Sequence, residues 1–336
     1  MIKSGILTPS AVLRERLARV YGYNGARKMP LRRLPMTTPQ TAIIPDHCRA
    51  AIFMEADTQA APAELAEACR RSLAALSDLQ TQYPDACLGL TIGFGADCWQ
   101  AFGHTEEGKD IKPFRALGGG LAPATQHDIL FHIQSLRPDV NFSLGQAVLE
   151  AFEGLLTVAS ENHGFRWVEE RGLEGFVDGT ENPQGEENIR QVGVIGGDAP
   201  DAGGSYVLLQ KYCHDLKKWN RLSVPEQEQC IGRSKADNIE FARSDRLPDS
   251  HLNRTNLKED GVGLKIVRRS LPYGTVSGEH GLMFIAYCAR LWNIEAQLLS
   301  MFGESDGKTD LLLTHVTAAV SGAYYYAPSV ERLNSL

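Results

Sequence analysis

Three short segments of the chain carry residue types able to do acid–base, ligand or charge-stabilising chemistry. The first is Gly175-Phe176-Val177-Asp178-Gly179, continued by Thr180-Glu181-Asn182-Pro183. Glycines on both sides of an acid let the backbone turn tightly and approach a planar ligand or another chain. A carboxylate held there can shuttle a proton; the same pattern also suits a turn aspartate bonded to its own backbone. The second segment is Asp249-Ser250-His251-Leu252-Asn253-Arg254, a histidine after a polar stretch. The third is Leu264-Lys265-Ile266-Val267-Arg268-Arg269-Ser270. Side chains alternate along a strand, so Arg268 and Ser270 share a face with Ile266 and Arg269 takes the other. A buried-face guanidinium beside a hydroxyl, as Arg268 beside Ser270, is costly unless it meets an anion or a polar ligand.

Several other chemistries are excluded. The nine histidines include no H-E-x-x-H and no cluster with metal-ligand spacing, which argues against a zinc enzyme. Singly, His251 and the strand-ending His214 each suit a surface or hydrogen-bonded role as well as a ligand role. The cysteines number seven, an odd count with no C-x-x-C, which argues against a disulfide framework and covalently attached c-type haem. Free thiols in a reducing compartment fit better. No phosphate-binding loop, nucleophile elbow or dinucleotide fingerprint occurs. No apolar run reaches the length of a membrane span. Residues 1–38 hold eight Lys or Arg against the single Glu15, a net of +7, which leaves −14 on the rest of the chain. So acidic a body is repelled by phosphate backbones, so no nucleic-acid partner is expected.

The elements that must position these residues read as two α+β halves. Residues 1–38 are an Arg-rich extension in which 10–21 can form a basic amphipathic helix. A transit-type peptide has that composition, as does a disordered extension ahead of a natural start at Met36. Ordered structure is expected to begin near Pro45. In the first half, 40–171, strands are expected at 49–56, 87–95, 127–135 and 165–170, with helices at 62–80 and 143–158. That is the β-α-β-β-α-β order. In the second half, 205–330, strands are expected at 205–212, 263–271, 281–289 and within 317–328. One helix follows Ser223, with Glu226 at capping-box spacing and Gly232 as its stop, and another spans 292–302. The Gly-rich, acidic stretch 172–204 reads as a long functional loop.

The three segments together resemble those of the dye-decolourising peroxidases. Residues 175–183 are similar to that family's G-x-x-D-G motif, and 250–257 and 266–274 to its haem-ligand and distal-arginine segments. Residues 44–53 resemble its cytoplasmic bacterial branch. His251 follows Asp178 by 73 residues and precedes Arg268 by 17, in the family's order. The resemblance implies a duplicated ferredoxin-like α+β fold of antiparallel sheets and helices, with one haem b per chain in the C-terminal half. It implies a peroxidase that reduces hydrogen peroxide and oxidises organic substrates, dye-like, phenolic or porphyrin-type, through a ferryl intermediate. A haem-handling protein with incidental peroxidase activity is the alternative. His251 becomes the proximal iron ligand, Asp178 the distal carboxylate, Arg268 the distal guanidinium and Ser270 a distal-pocket residue. Asp310 is the favoured acidic partner of the imidazole, with Asp306 second, and Glu181 joins the proximal or propionate network. A cytoplasmic homo-oligomer, dimer or higher, without membrane contact is expected. Trp99, Trp167, Trp219, Trp292 and the Tyr324–Tyr326 run are candidates for electron transfer.

Overall fold

The computed structural model describes residues Thr37–Leu336; the basic helix expected at 10–21 lies outside them. Strands are numbered in chain order: β1 Ala50–Thr58, β2 Gly89–Phe94, β3 Ile129–Ser135, β4 Leu156–Phe165, β5 Ser205–His214, β6 Lys258–Glu259, β7 Val262–Gly263, β8 Val267–Arg268, β9 Leu271–Gly274, β10 His280–Cys288, β11 Thr317–Ala319 and β12 Ala323–Ala327. In the first half the order β2-β3-β1-β4 is antiparallel throughout. The helices Pro62–Gln82 and Pro138–Ala151 lie between its strands in sequence and pack on one another and the sheet. The second half repeats the arrangement, with β5 between β12 and β10, and β8 and β9 on the far edge of β10.

The two sheets are joined at both ends. β4 meets β9 at Gly164–Tyr273, and β12 meets β2 at Tyr326–Phe94. Pairing therefore runs from β2 through β3, β1, β4, β9, β10, β5 and β12 back to β2. A closed sheet has few free edges. Residues of alternate parity face the inside, where Phe53, Leu130, Val207, Leu209, Ile285 and Tyr325 form one apolar cluster. The opposite parity, including Ile52, Met54, Leu90, Ile92 and Leu208, packs outward in a larger one that the helices share. The inside also holds polar pairs. Tyr325 donates to Glu55 at 2.7 Å, and His132 Nδ1 lies 2.7 Å from the Tyr287 hydroxyl. Burial, helped by Arg269, pushes His132 down to about 3, so its imidazole is neutral.

Several expected boundaries move. Order begins before Pro45: buried Gln40 accepts from Ile92 N–H at 2.7 Å and donates to Ile92 O at 2.8 Å. The helix expected at 143–158 starts at Pro138, where the missing N–H costs nothing. It gives way to β4, which the polar sequence Leu156–Phe165 concealed because most of its side chains face solvent. The strand expected at 165–170 is instead a short 3₁₀ turn, Val168–Glu170. The stretch 263–271 is broken into β7, β8 and β9. The loop 172–204 contains the helix Glu186–Gly193, whose Ile189 is buried. The expected helix Val224–Ile231 forms with Ser223 and Glu226 at its start and Gly232 at φ 95° at its end. Between β5 and β8, where the first half has one long helix, the second half has Leu216–Trp219, Val224–Ile231 and His251–Thr255. That irregular segment delivers His251.

Candidate active site

The G-x-x-D-G segment needs its glycines for two reasons. Gly175 and Gly179 adopt φ of 94° and 79°, conformations that L side chains rarely take. A side chain at Gly175 would also strike the stem of Lys235, 2.6 Å from the Cβ position. Between them, Asp178 N–H donates to Glu170 O at 2.9 Å, and Asp178 Oδ1 accepts from Gly179 N–H at 2.7 Å. Trp219 is fully buried beneath this loop, stacks edge-on against Phe176 and donates its indole N–H to Glu174 O at 2.8 Å.

Arg268, on the two-residue strand β8, brings Nη1 within 3.3 Å of Asp178 Oδ1. Both side chains are about four-fifths buried, at 21% and 23% exposure. Its neighbour Arg269 points the other way, as alternation requires. It is 5% exposed and donates to Ile43 O at 3.0 Å and Ile44 O at 2.9 Å, with Asp46 at 3.2 Å. The fully buried guanidinium of this strand is thus satisfied by the protein itself.

His251 is the first residue of the helix His251–Thr255. Its Nδ1 lies 2.7 Å from Asp310 Oδ2, and Asp310 is wholly buried. The other Asp310 oxygen accepts from Leu312 N–H at 2.9 Å, capping the helix Leu311–His315. Asp306, the second choice as partner, instead pairs with Arg254 at 2.8 Å. Arg254 also donates to Ser300 O at 2.9 Å and so fastens the His251 helix to the end of the helix Leu291–Met301.

Asp178, Arg268 and His251 all line one cavity of about 1540 Å³, its open mouth included. Its walls are largely apolar, with Leu208, Leu282, Phe284, Ile294, Leu298 and Met301 among them. A second, more polar cavity shares Val177, Asp178, Thr180 and Arg268 with the first, so the Asp–Arg pair stands where the two meet. Ser270 borders that second cavity, not the one that His251 lines. Its Oγ accepts from Ile285 N–H at 3.2 Å. Glu181 lies in the first cavity, held by Arg233 and, at 2.8 Å, by Lys265. Burial opposes ionisation of Glu181, but Lys265, Arg233 and Arg268 outweigh it and hold its carboxyl below the usual range. His214 lines the cavity too. Its Nδ1 lies 2.8 Å from the Thr317 hydroxyl, and burial lowers its pKa to about 4.

Sequence reasoning missed Arg233, Lys265 and Asn182. Lys265 was legible as part of the basic strand, whereas nothing local marked Arg233. Asn182 sat in the first motif but carried no chemistry of its own. Of the tryptophans, Trp99 and Trp219 are core residues, while Trp292 is 41% exposed.

The donor set fits one large planar metal cofactor. An imidazole whose Nδ1–H is given to a buried carboxylate offers Nε2 to a metal and is made more electron-rich by the carboxylate. Among the described residues no group of three or more His, Cys, Asp or Glu could hold a metal ion by itself. A single histidine facing an apolar slot would suit a metal already held by a macrocycle. Among the described residues no helix is long and apolar enough to cross a membrane.

Comparisons with known proteins give matches over most of the chain. The family models for the N-terminal and C-terminal parts of Dyp-type peroxidases match residues 40–166 and 169–332. A dye-decolorizing peroxidase of Mycobacterium tuberculosis is 36% identical over 307 residues, 90% of this chain and 91% of that protein. Among solved structures, a dye-decolorizing protein from V. cholerae is similar with a TM-score of 0.83 and 39% identity, covering 88% of this chain and 99% of that one. A DypB variant from Rhodococcus jostii RHA1, in complex with haem, has a TM-score of 0.82 and 33% identity, covering 89% of this chain and 98% of that one.

Proposed function

The chain belongs to the Dyp-type peroxidase family and is a haem-dependent peroxidase, and from that premise we propose that His251 is its proximal iron ligand and that Asp178 and Arg268 act on hydrogen peroxide. One observation carries the assignment. An imidazole backed by Asp310 at 2.7 Å and an Asp–Arg pair at 3.3 Å share one apolar cavity.

Haem, when bound, supplies the redox chemistry that splits the O–O bond and then oxidises the reducing substrate. The protein's own groups do the rest. With haem bound, His251, backed by Asp310, would be the protein ligand to its iron, and the carboxylate would make the imidazole more electron-rich. The apolar walls from β5, β10 and the helix Leu291–Met301 would exclude water from the bound group. Arg233 and Lys265, now turned to Glu181, are the cations suited to its carboxylates. An Asp178 carboxylate oxygen accepts a proton from one peroxide oxygen and returns it to the other, which leaves as water. The Arg268 guanidinium stabilises the negative charge that develops on that leaving oxygen. The polar second cavity, opening on the Asp178–Arg268 pair, suits a small polar oxidant better than the apolar slot does. Ser270 borders that route, and Glu181 belongs to the carboxylate-binding cluster.

The reducing substrate is a small organic molecule, dye-like, phenolic or porphyrin-type. The seven cysteines are unpaired, and this supports a cytoplasmic location. A homo-oligomer, dimer or higher, completes the proposal; sedimentation of the haem-loaded protein tests it. The test of the site is haem reconstitution followed by peroxide. The parent chain should show a Soret band that shifts within seconds of adding one equivalent of hydrogen peroxide. Failure to bind haem, or a haem spectrum inert to peroxide, would overturn it.

A further inference from the structure

The loop that carries Asp178 and the strand that carries Arg268 meet at a side chain that the chemistry above leaves unused. Asn182 Oδ1 accepts the Arg268 backbone N–H at 2.9 Å, and Asn182 Nδ2 donates to the Arg268 carbonyl at 3.1 Å. β8 ends the sheet order and pairs with β10 along one edge. On its other edge the Asn182 amide offers the donor and acceptor that a neighbouring strand would supply. The far end of this link is anchored as firmly. Asn182 N–H donates to Gly179 O at 2.9 Å and closes the turn, while Asp178 N–H is held by Glu170 O.

The two reacting groups are therefore tied together through main chain. Their direct contact is a single one, Arg268 Nη1 to Asp178 Oδ1 at 3.3 Å. It must part for a peroxide to come between the groups. An interaction that the substrate breaks cannot hold the spacing the substrate needs.

We infer that Asn182 is a positioning residue for peroxide cleavage, holding Arg268 in register with Asp178 while the contact between those two side chains is open. This rests on the reading of Asp178 and Arg268 as the reacting pair. Misplacing a group by about an ångström can cost about 10²-fold in rate.

The test uses haem-loaded protein and stopped-flow mixing with hydrogen peroxide. Asn182→Ala removes both bonds, and Asn182→Asp puts an acceptor against the Arg268 carbonyl. Both should react about 10- to 100-fold more slowly, with haem content, Soret position and KM for the reducing dye unchanged. A double-mutant cycle separates positioning from general destabilisation. In an Asp178→Ala/Arg268→Leu background, Asn182→Ala should change the rate less than twofold, because nothing remains to be positioned. If Asn182→Ala does not fold, Asn182→Gln, whose amide is displaced by one methylene, carries the same expectation. Parent-like rates in the Asn182 variants, or equal slowing in both backgrounds, would overturn the inference. If the Asp178→Ala/Arg268→Leu protein itself reacts like the parent, the underlying reading fails. If that protein is slow and the Asn182 variants are fast, only the inference fails.

Discussion

One carboxylate, Asp310, both starts a helix and orients the imidazole of His251. Oδ1 accepts from Leu312 N–H at 2.9 Å and Oδ2 faces His251 Nδ1 at 2.7 Å. Fold and function can be separated here. Asp310→Asn keeps an acceptor for the cap but removes the charge behind the imidazole. It should retain haem and react with peroxide about 10- to 100-fold more slowly, with a lowered iron–histidine stretching frequency in resonance Raman spectra of the ferrous protein. Asp310→Ala should in addition lose about 1 kcal/mol of stability with the cap. An unchanged stretching frequency in Asp310→Asn would separate the carboxylate from the ligand's electronic state.

The cavity holds two histidines, and they are not equivalent. His251→Ala should lose most of its haem on purification, whereas His214→Ala, which forfeits the Thr317 contact, should keep it. The measure is haem per chain by pyridine haemochromogen absorbance. A five-coordinate histidine spectrum in His251→Ala would move the ligand elsewhere.

Glu174 borders the same cavity. Burial, joined by the charge of Asp178, raises its pKa to about 7 against the lowering effect of nearby backbone N–H groups. The folded protein therefore keeps a proton there over the range in which the unfolded chain has released it. Stability then falls as the pH climbs from the unfolded value toward 7. Glu174→Gln should flatten that decline, by up to about 3 kcal/mol if the whole shift is expressed, at about 1.4 kcal/mol per unit. Urea midpoints at pH 5 and pH 7.5 for both proteins decide it; equal slopes count against the assignment.

The basic extension is expected to be dispensable, with a boundary the structure sharpens. A chain beginning at Met36 keeps Thr38, bonded to Glu331 and Val330, and the buried Gln40. It should bind haem and turn over like the full chain. A chain beginning at Pro45 loses Gln40 and leaves Ile92 without its partner, and should be less stable by a few kcal/mol. Parent-like urea midpoints for both would show that residues 37–44 are ornamental.

The sequence was most legible where a residue type has one physical use. Gly175 and Gly179 marked a turn because positive φ excludes most side chains. Ser223, Glu226 and Gly232 marked both ends of one helix. The alternation rule separated Arg268 from Arg269, but the expectation that Arg268 is the deeply buried one fails. It is Arg269, whose guanidinium binds Ile43 O and Ile44 O, so Arg269→Leu should unsettle the fold more than the haem. What stayed hidden depends on distant partners. β4 lacks an apolar face, and the joins β4–β9 and β12–β2 are made by backbone groups that look alike in every sequence. Asn182 acts on a residue 86 positions away. Asp310 could only be ranked ahead of Asp306 in the sequence; the reason, that Arg254 claims Asp306, lies in the structure.

The central claim is that Asp178 and Arg268 cleave peroxide at a haem held by His251. It is tested most directly by stopped-flow mixing of one equivalent of hydrogen peroxide with haem-loaded parent, Asp178→Ala and Arg268→Leu proteins, following the Soret band. Loss of a charge-stabilising donor typically costs about 10²–10³-fold. Loss of a proton shuttle costs a comparable ~10²–10⁴-fold, part of which a pocket water restores, while no water replaces a guanidinium. Both variants should therefore be slowed with their resting spectra intact, Arg268→Leu more than Asp178→Ala. A slower Asp178→Ala would make the carboxylate the main catalyst, and parent-like rates in both variants would contradict the account.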